Sequence, residues 1–445
     1  MGFLDDYAAL AKPGAPPQQV AAAQFALFEQ WLFGRRDELF AELRAAQPIF
    51  VMASPAPVVV SRFADVLEVA SLDGTFGVEP YAATNAVVMG GANFLLGMGD
   101  GAPYESEKAI LKLAVKRTDL DDIRTWVQAA AKALTAGAAA AAGAAGAGRL
   151  DLPQGFANLV PLQLAGRYFG VPGPSLDVLG GWIRAIFVEL FLNLNDDPRL
   201  AAAGAAAGKQ LGDHIDGLIA ASRATAAGAA GAAGAGGAPG RDTVLGRLLA
   251  MQADPDTQLA DDRIRVNLIG LLVGMIDNTI MAAVNALDVL FNFPDQLAGA
   301  VTAAGAADPG ALLPYVLEAL RFHSPAPLLV RLSEQAHVLA KGTERATEVP
   351  AGRLIFASNG SAMMDDTVLD QPQQFTLGRP SYQYLHFGWG MHQCFGKYIS
   401  QVQVVELVRS LLLLPGLRRA AGDAGQLVYE GPFPKSFTVE FGASG

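Results

Sequence analysis

The sequence predicts a mainly α-helical protein with a small β region near its N-terminus, and three features carry that prediction. Two short β-rich runs, residues 48–52 and 57–61, flank Ala53-Ser54-Pro55-Ala56, which is a hairpin signal. Helical periodicity follows over 63–70 and returns in the apolar run 312–322. The longest strongly apolar helix candidate spans 261–293. A hydrophobic content of 51% against 17% charged residues fits extensive burial within 445 residues.

Three Ala/Gly tracts lie between these elements, at 136–148, 201–208 and 226–237. Glycine inside a helix costs about 1 kcal/mol per site. The tracts therefore read as tolerated surface connectors, with a flexible loop over 226–240. Residues 1–45 form a lead-in. Asp242-Thr243-Val244-Leu245 resumes a helical pattern with Asp242 as its cap. No uninterrupted apolar stretch reaches the ~20 residues of a membrane span, and Met1-Gly2-Phe3-Leu4-Asp5-Asp6 lacks a basic, apolar leader. The expectation is a soluble, cytoplasmic protein with no integral membrane segment. One cysteine excludes an internal disulfide, in keeping with a reducing compartment. A net charge of −11 argues against nucleic acid or an anionic membrane as partner.

That one cysteine, Cys394, stands in Phe387-Gly388-Trp389-Gly390-Met391-His392-Gln393-Cys394-Phe395-Gly396. A thiolate is a soft, strongly donating metal ligand able to hold haem iron axially. Gly388, Gly390 and Gly396 permit positive φ and close backbone approach. A buried, inert thiol is the competing reading. Upstream, Glu318-Ala319-Leu320-Arg321 places a carboxylate and a guanidinium at i, i+3 on one helix face. Alone, that pair could be an ordinary surface bridge. The combination of E-x-x-R with a following F-G-x-G-x-H-x-C-x-G resembles the cytochrome P-450 family, and the resemblance runs from about Pro48 to Phe441.

The resemblance implies a single haem-thiolate domain over 1–445, with haem b between a long central helix and the cysteine loop. It implies Cys394 as axial ligand to the iron, with Phe387 in the loop beneath the haem. His392 and Arg331 would contact the haem propionates. Tyr104 and Lys108 stand where the family commonly has H-x-x-x-R; they keep its i, i+4 spacing and a donor each, although a solvated charged face explains them equally well. Arg379 looks like the third member of a structural triad with Glu318 and Arg321. Phe322, Pro325, Leu328 and Leu329 match a segment that edges the family's substrate pocket. Val87, Val88, Phe94 and Leu95 fall in the loop that covers it. Their apolar character fits a fatty-acid or terpenoid-like substrate.

The long helix departs from the family. Most family monooxygenases carry A-G-x-(D/E)-T there: a Gly opening an oxygen groove, then an acid and a Thr that relay protons. Here Val273-Gly274-Met275-Ile276-Asp277-Asn278-Thr279 puts Asp277 at the acid, Asn278 at the Thr and Met275 at the Gly position, counting back from Pro294. Thr279, about 100° further round, points elsewhere; a one-residue shift would restore it as the relay. Met275 fills the groove beside Gly274, and an amide is a poor proton relay because it does not ionise near neutral pH. Family branches that process fatty-acid hydroperoxides without dioxygen or electrons similarly place Asn in this helix.

Two enzyme readings therefore stay open, with Asn278 and Asp277 as catalytic residues. One is peroxide or hydroperoxide chemistry needing no electron donor. The other is conventional monooxygenation with dioxygen and a ferredoxin-type partner, for which Lys112, Lys116 and Arg117 offer only an ordinary basic patch interrupted by Asp119, Asp121 and Asp122. A third class, a non-catalytic haem protein that binds a ligand, fits less well with a fully preserved cysteine loop.

Overall fold

The computed structural model describes residues 2–12, 14–142, 147–231, 242–254, 257 and 259–442. The chain groups into two compact units, Met1–Pro80 with Pro314–Phe395, and Tyr81–Leu313 with Gly396–Gly445.

The first unit is built on a five-stranded sheet in the order Ile49–Val51, Val58–Val60, Leu354–Ala357, Leu329–Ser333, Phe76–Gly77. The hairpin signal holds: Ile49 pairs with Val60 and Val51 with Val58 in antiparallel register. Val58–Val60 then runs parallel to 355–357, a pairing that brings distant parts of the chain together. Val58 and Val60 join Val66, Val69, Ile355 and Leu385 in the core of this unit, with the helix Phe63–Ser71 packed over it. The lead-in forms three helices, Phe3–Ala9, Pro17–Gly34 and Arg36–Ala46. They close around Phe3, whose ring meets Tyr7, Phe28, Trp31 and Phe50.

The second unit is helical and centres on Asp261–Asn292. That helix is long and apolar enough to cross a membrane, but 83% of its apolar window is buried inside the fold, as in a core helix. It packs against Leu176–Phe191, Pro198–Gly231 and Lys397–Leu412.

Three sequence expectations change here. The Ala/Gly tracts are helical rather than connectors: 136–142 end the helix Leu120–Ala142, and 201–208 lie inside Pro198–Gly231. In the second of these tracts the reason is close packing. A Cβ at Gly208 would sit 1.8 Å from the Val88 carbonyl oxygen, and one at Gly204 would sit 2.6 Å from the Glu189 Cβ, so these glycines offset their helix cost by admitting a neighbour. The loop expected over 226–240 is helix through Gly231, and 232–240 lie outside the described residues. Finally, Thr243, not Asp242, caps the helix Val244–Met251 by accepting from the Gly246 N–H at 3.1 Å, while Asp242 pairs with Arg247 at 2.6 Å.

Candidate haem-thiolate site

In the first unit the cysteine loop is shaped by its backbone. Gly388 and Gly390 adopt φ +68° and +72°, and the Cys394 N–H donates to the Phe387 carbonyl at 2.7 Å. Gly396 differs from expectation: its φ is −78°, and it serves as N-cap of Lys397–Leu412. Gly390 also lies against the end of Phe63–Ser71, where a Cβ would fall 2.4 Å from the Ala70 carbonyl oxygen. Trp389 packs into the sheet core. The Cys394 side chain is exposed. Gly388→Ala is expected to cost about 1–2 kcal/mol for its left-handed backbone alone. Gly390→Ala should cost more, because it adds a backbone clash. Denaturant unfolding of the two variants checks the order.

Glu318 and Arg321 are fully buried and pair at 2.7 Å. Arg379 Nε donates to the same carboxylate oxygen at 3.1 Å, and the Thr376 N–H does so at 2.9 Å. Tyr384 Oη donates to the other oxygen at 2.9 Å, a fourth partner that no spacing in the sequence signals. Burial pushes the Glu318 carboxyl up, but Arg321, Thr376 and Tyr384 outweigh it and hold the group below the usual carboxylate range. Arg321 also donates to the carbonyls of Met363, Pro372 and Gln374. From this cluster the chain runs directly to the cysteine loop. His386 stacks on Tyr384 and meets Phe387 edge-on, and burial pushes its imidazole down to about 4.

Arg331, on Leu329–Ser333, is buried and donates to the Val330 carbonyl at 2.9 Å. Leu328, Leu329 and Pro325 are half-buried nearby in sequence. Phe322 has a packing role at the ion-pair cluster: its ring stacks on Phe375 and lies under the Arg321 guanidinium.

In the second unit the long helix carries one open row. Between Val266 and Leu287 every residue is buried except Leu271, Gly274 and Asn278, which share one face. A Cβ at Gly274 would meet nothing within 4 Å, while Met275 is buried. Asn278 Nδ2 donates to the Gly274 carbonyl at 3.0 Å, which fixes the amide orientation, since only the nitrogen can donate. Its Oδ1 is shielded and has no partner among the described residues. Thr279 is turned into the protein, 1% exposed.

Asp277 is buried too, held bidentate by Arg184 at 2.7 and 3.1 Å, and the Arg184 guanidinium lies over the Phe433 ring. Burial raises the Asp277 carboxyl despite that pairing. Lys108 Nζ donates to Tyr104 Oη at 2.9 Å, so the i, i+4 pair is joined. Phe94 seats its ring on the long helix, 2.4 Å from where a Gly270 Cβ would be.

Each unit by itself holds residues suited to haem. In the first, the loop presents a soft sulfur donor, and Arg331 and His392 offer donors suited to carboxylates. In the second, Tyr104 and Lys108 offer such donors, and Asn278 Oδ1 is an orphaned buried acceptor, a state that costs about 1–3 kcal/mol unless a ligand or water supplies a proton. The family model described as Cytochrome P450 matches residues 312–413, which include both the Glu318–Arg321 pair and the cysteine loop. The chain belongs to the cytochrome P450 family. Its cofactor is haem held by a cysteine thiolate, and this P450 has one cysteine, Cys394.

Among curated relatives, 6-deoxyerythronolide B hydroxylase of Saccharopolyspora erythraea is 25% identical over 59% of this chain and 58% of its own. A linoleate diol synthase of Gaeumannomyces graminis is 36% identical over 19% of this chain and 7% of its own. The P450 chain thus spans less than two thirds of these relatives. The solved structure of P450BioI, in complex with an acyl carrier protein ligated to hexadec-9Z-enoic acid, superposes with a TM-score of 0.76 at 15% identity, covering 93% of this chain and 100% of that one. That likeness shows the fold.

Proposed function

We propose that this P450 is an oxidoreductase acting on an apolar organic substrate of fatty-acid or terpenoid type, and that a peroxide or fatty-acid hydroperoxide is its oxidant. One observation carries the reading: Asn278, rather than Thr279, stands on the open row of the long helix with an unpartnered carbonyl oxygen. Thiolate-ligated haem supplies O–O bond cleavage when bound. The chain's own residues do the rest. Cys394 donates to the iron. Arg331 and His392 of the first unit would hold haem carboxylates, and Tyr104 and Lys108 of the second carry donors of the same kind. Asn278 Oδ1 accepts the O–H of a hydroperoxide and so orients its O–O bond, a task suited to a group that does not itself ionise. The relative named for linoleate, a fatty acid, supports the substrate class.

A second reading has its own support. Asp277 keeps the acid of the family pattern, and its partner Arg184 has a side chain 41% exposed, so the ion pair reaches from the buried carboxyl to the surface. The bacterial hydroxylase among the relatives agrees with it. A ferredoxin-type donor would then be the partner.

Anaerobic mixing of the haem-loaded protein with a fatty-acid hydroperoxide, without reductant, separates the two. The first reading expects turnover, and expects Asn278→Ala to lose most of it, by about tenfold or more, as for removal of one positioned hydrogen bond. The second expects no anaerobic turnover, product only with dioxygen and reductant, and Asn278→Thr to preserve or improve coupling. Faster hydroperoxide turnover in Asn278→Ala than in the parent sinks the role given to Asn278.

A further inference from the structure

The segment between the helices Glu79–Val88 and Ala102–Ala114 is held in a way that the haem chemistry does not require. Gly90 and Gly91 turn it through two consecutive left-handed residues, φ +65° and +90°. Asn93 then acts as a hub. Its Oδ1 accepts from Asn85 Nδ2 at 2.9 Å, its Nδ2 donates to the Gly97 carbonyl at 2.6 Å, and its own carbonyl accepts from Arg263 Nη1 at 3.0 Å. Arg263 is itself fixed by Glu107 at 3.0 Å, and Glu107 accepts from the fully buried Asn267. The side-chain amide of Asn93 thus closes the segment on itself while its backbone is tied to the long helix. The next residue is Phe94, whose ring is seated on Gly270.

Gly270, Gly274 and Asn278 follow one another at i, i+4 and i+8. The Phe94 ring therefore stands at the head of the open row, roughly 12 Å along the helix from Asn278. We propose that Asn93 is a specificity-determining positioning residue: by clasping Phe94 onto Gly270 it sets how long an apolar ligand can lie along the row that ends at Asn278. The inference rests on the reading above, that ligands approach the long helix along this row.

Two measurements test it. In the first, amide hydrogen exchange of the full-length protein compares the parent with Asn93→Ala. Loss of the clasp is expected to speed exchange over residues 88–97 by about tenfold or more, leaving the long helix unchanged. In the second, the haem-loaded parent, Asn93→Ala and Phe94→Ala are titrated with 1-butyl-, 1-octyl- and 1-dodecylimidazole, and the Soret shift is followed as the imidazole nitrogen ligates the iron. Each methylene newly buried should tighten binding about fourfold. The parent is expected to gain from butyl to octyl and nothing further to dodecyl, because the ring stops the chain. In both variants the gain should continue, tightening the dodecyl compound by at least about tenfold. Normal exchange in Asn93→Ala overturns the clasp. An unmoved dodecyl affinity in both variants overturns its part in specificity and leaves the proposed function standing. A parent whose spectrum no alkylimidazole shifts overturns the ligand-side placement of the row, and the specificity role with it, while the exchange result still judges the clasp.

Discussion

Cys394→Ser is expected to abolish the red-shifted Soret band that the reduced, carbon-monoxide-bound parent should show. The cause is electronic. A thiolate is soft, polarisable and strongly donating, whereas a serine hydroxyl is hard and remains protonated near neutral pH, so it can neither match that donation nor hold a ferrous iron as firmly. The chain has no second cysteine to take over. The loop itself should survive the exchange, because its shape is set by the Cys394 N–H to Phe387 carbonyl bond and by Gly388 and Gly390, none of which uses the sulfur. Circular dichroism should therefore change little while haem content and the thiolate spectrum are lost. His392, two residues away, is the one imidazole in the loop, so any haem retained by the variant should give a histidine-type spectrum. A histidine-type spectrum in the unmodified protein would refute Cys394 as the axial ligand.

What could be read from the sequence was whatever rests on local spacing. The 48–61 hairpin follows from two β-rich runs flanking a turn signal, and the structure pairs them antiparallel. The Glu318–Arg321 pair follows from i, i+3 geometry. What could not be read needed the third dimension. Tyr384 reaches Glu318 across 66 positions, and Arg184 reaches Asp277 across 93, separations for which chain order carries no periodic signal. The Ala/Gly tracts misled because helix propensity is a local quantity. At Gly204 and Gly208 tertiary packing overrides it, since the neighbouring chain needs the room a Cβ would occupy. Gly396 shows the same limit from the other side: a glycine in a glycine-rich loop was expected to use its freedom, yet it has an ordinary φ and caps a helix. On the long helix, the placing of Asn278 could be counted back from Pro294, but its hydrogen bond to the Gly274 carbonyl could not, because that depends on the side-chain rotamer.

Arg321→Ala is expected to yield little haem-loaded protein, although Arg321 is no ligand to the haem. Its guanidinium satisfies one oxygen of Glu318 and three backbone carbonyls at once, all out of solvent. Truncation removes one of the two cations on the buried Glu318 carboxylate and leaves it to Arg379, Thr376 and Tyr384, and removing one partner of a buried pair typically costs about 3–5 kcal/mol. That is a large share of the ~5–15 kcal/mol by which a domain is stable. The freed carbonyls belong to Met363, Pro372 and Gln374, on the stretch that leads to Arg379, Tyr384 and then the cysteine loop, so the loop should lose its support before the rest of the fold melts. Arg321→Lys keeps the charge but cannot reach carboxylate and carbonyls together, and should fall between parent and alanine variant. The pH dependence follows from the depressed Glu318 carboxyl. A folded value below the unfolded one means that its stabilisation is complete above the unfolded carboxylate's ~4.3 and disappears as pH falls through the folded value. Acid should therefore release haem from the parent over that window, and the alanine variant should lack this component. Haem-to-protein absorbance ratios across an acid titration measure both effects, and normal haem content in Arg321→Ala would show the pair to be dispensable.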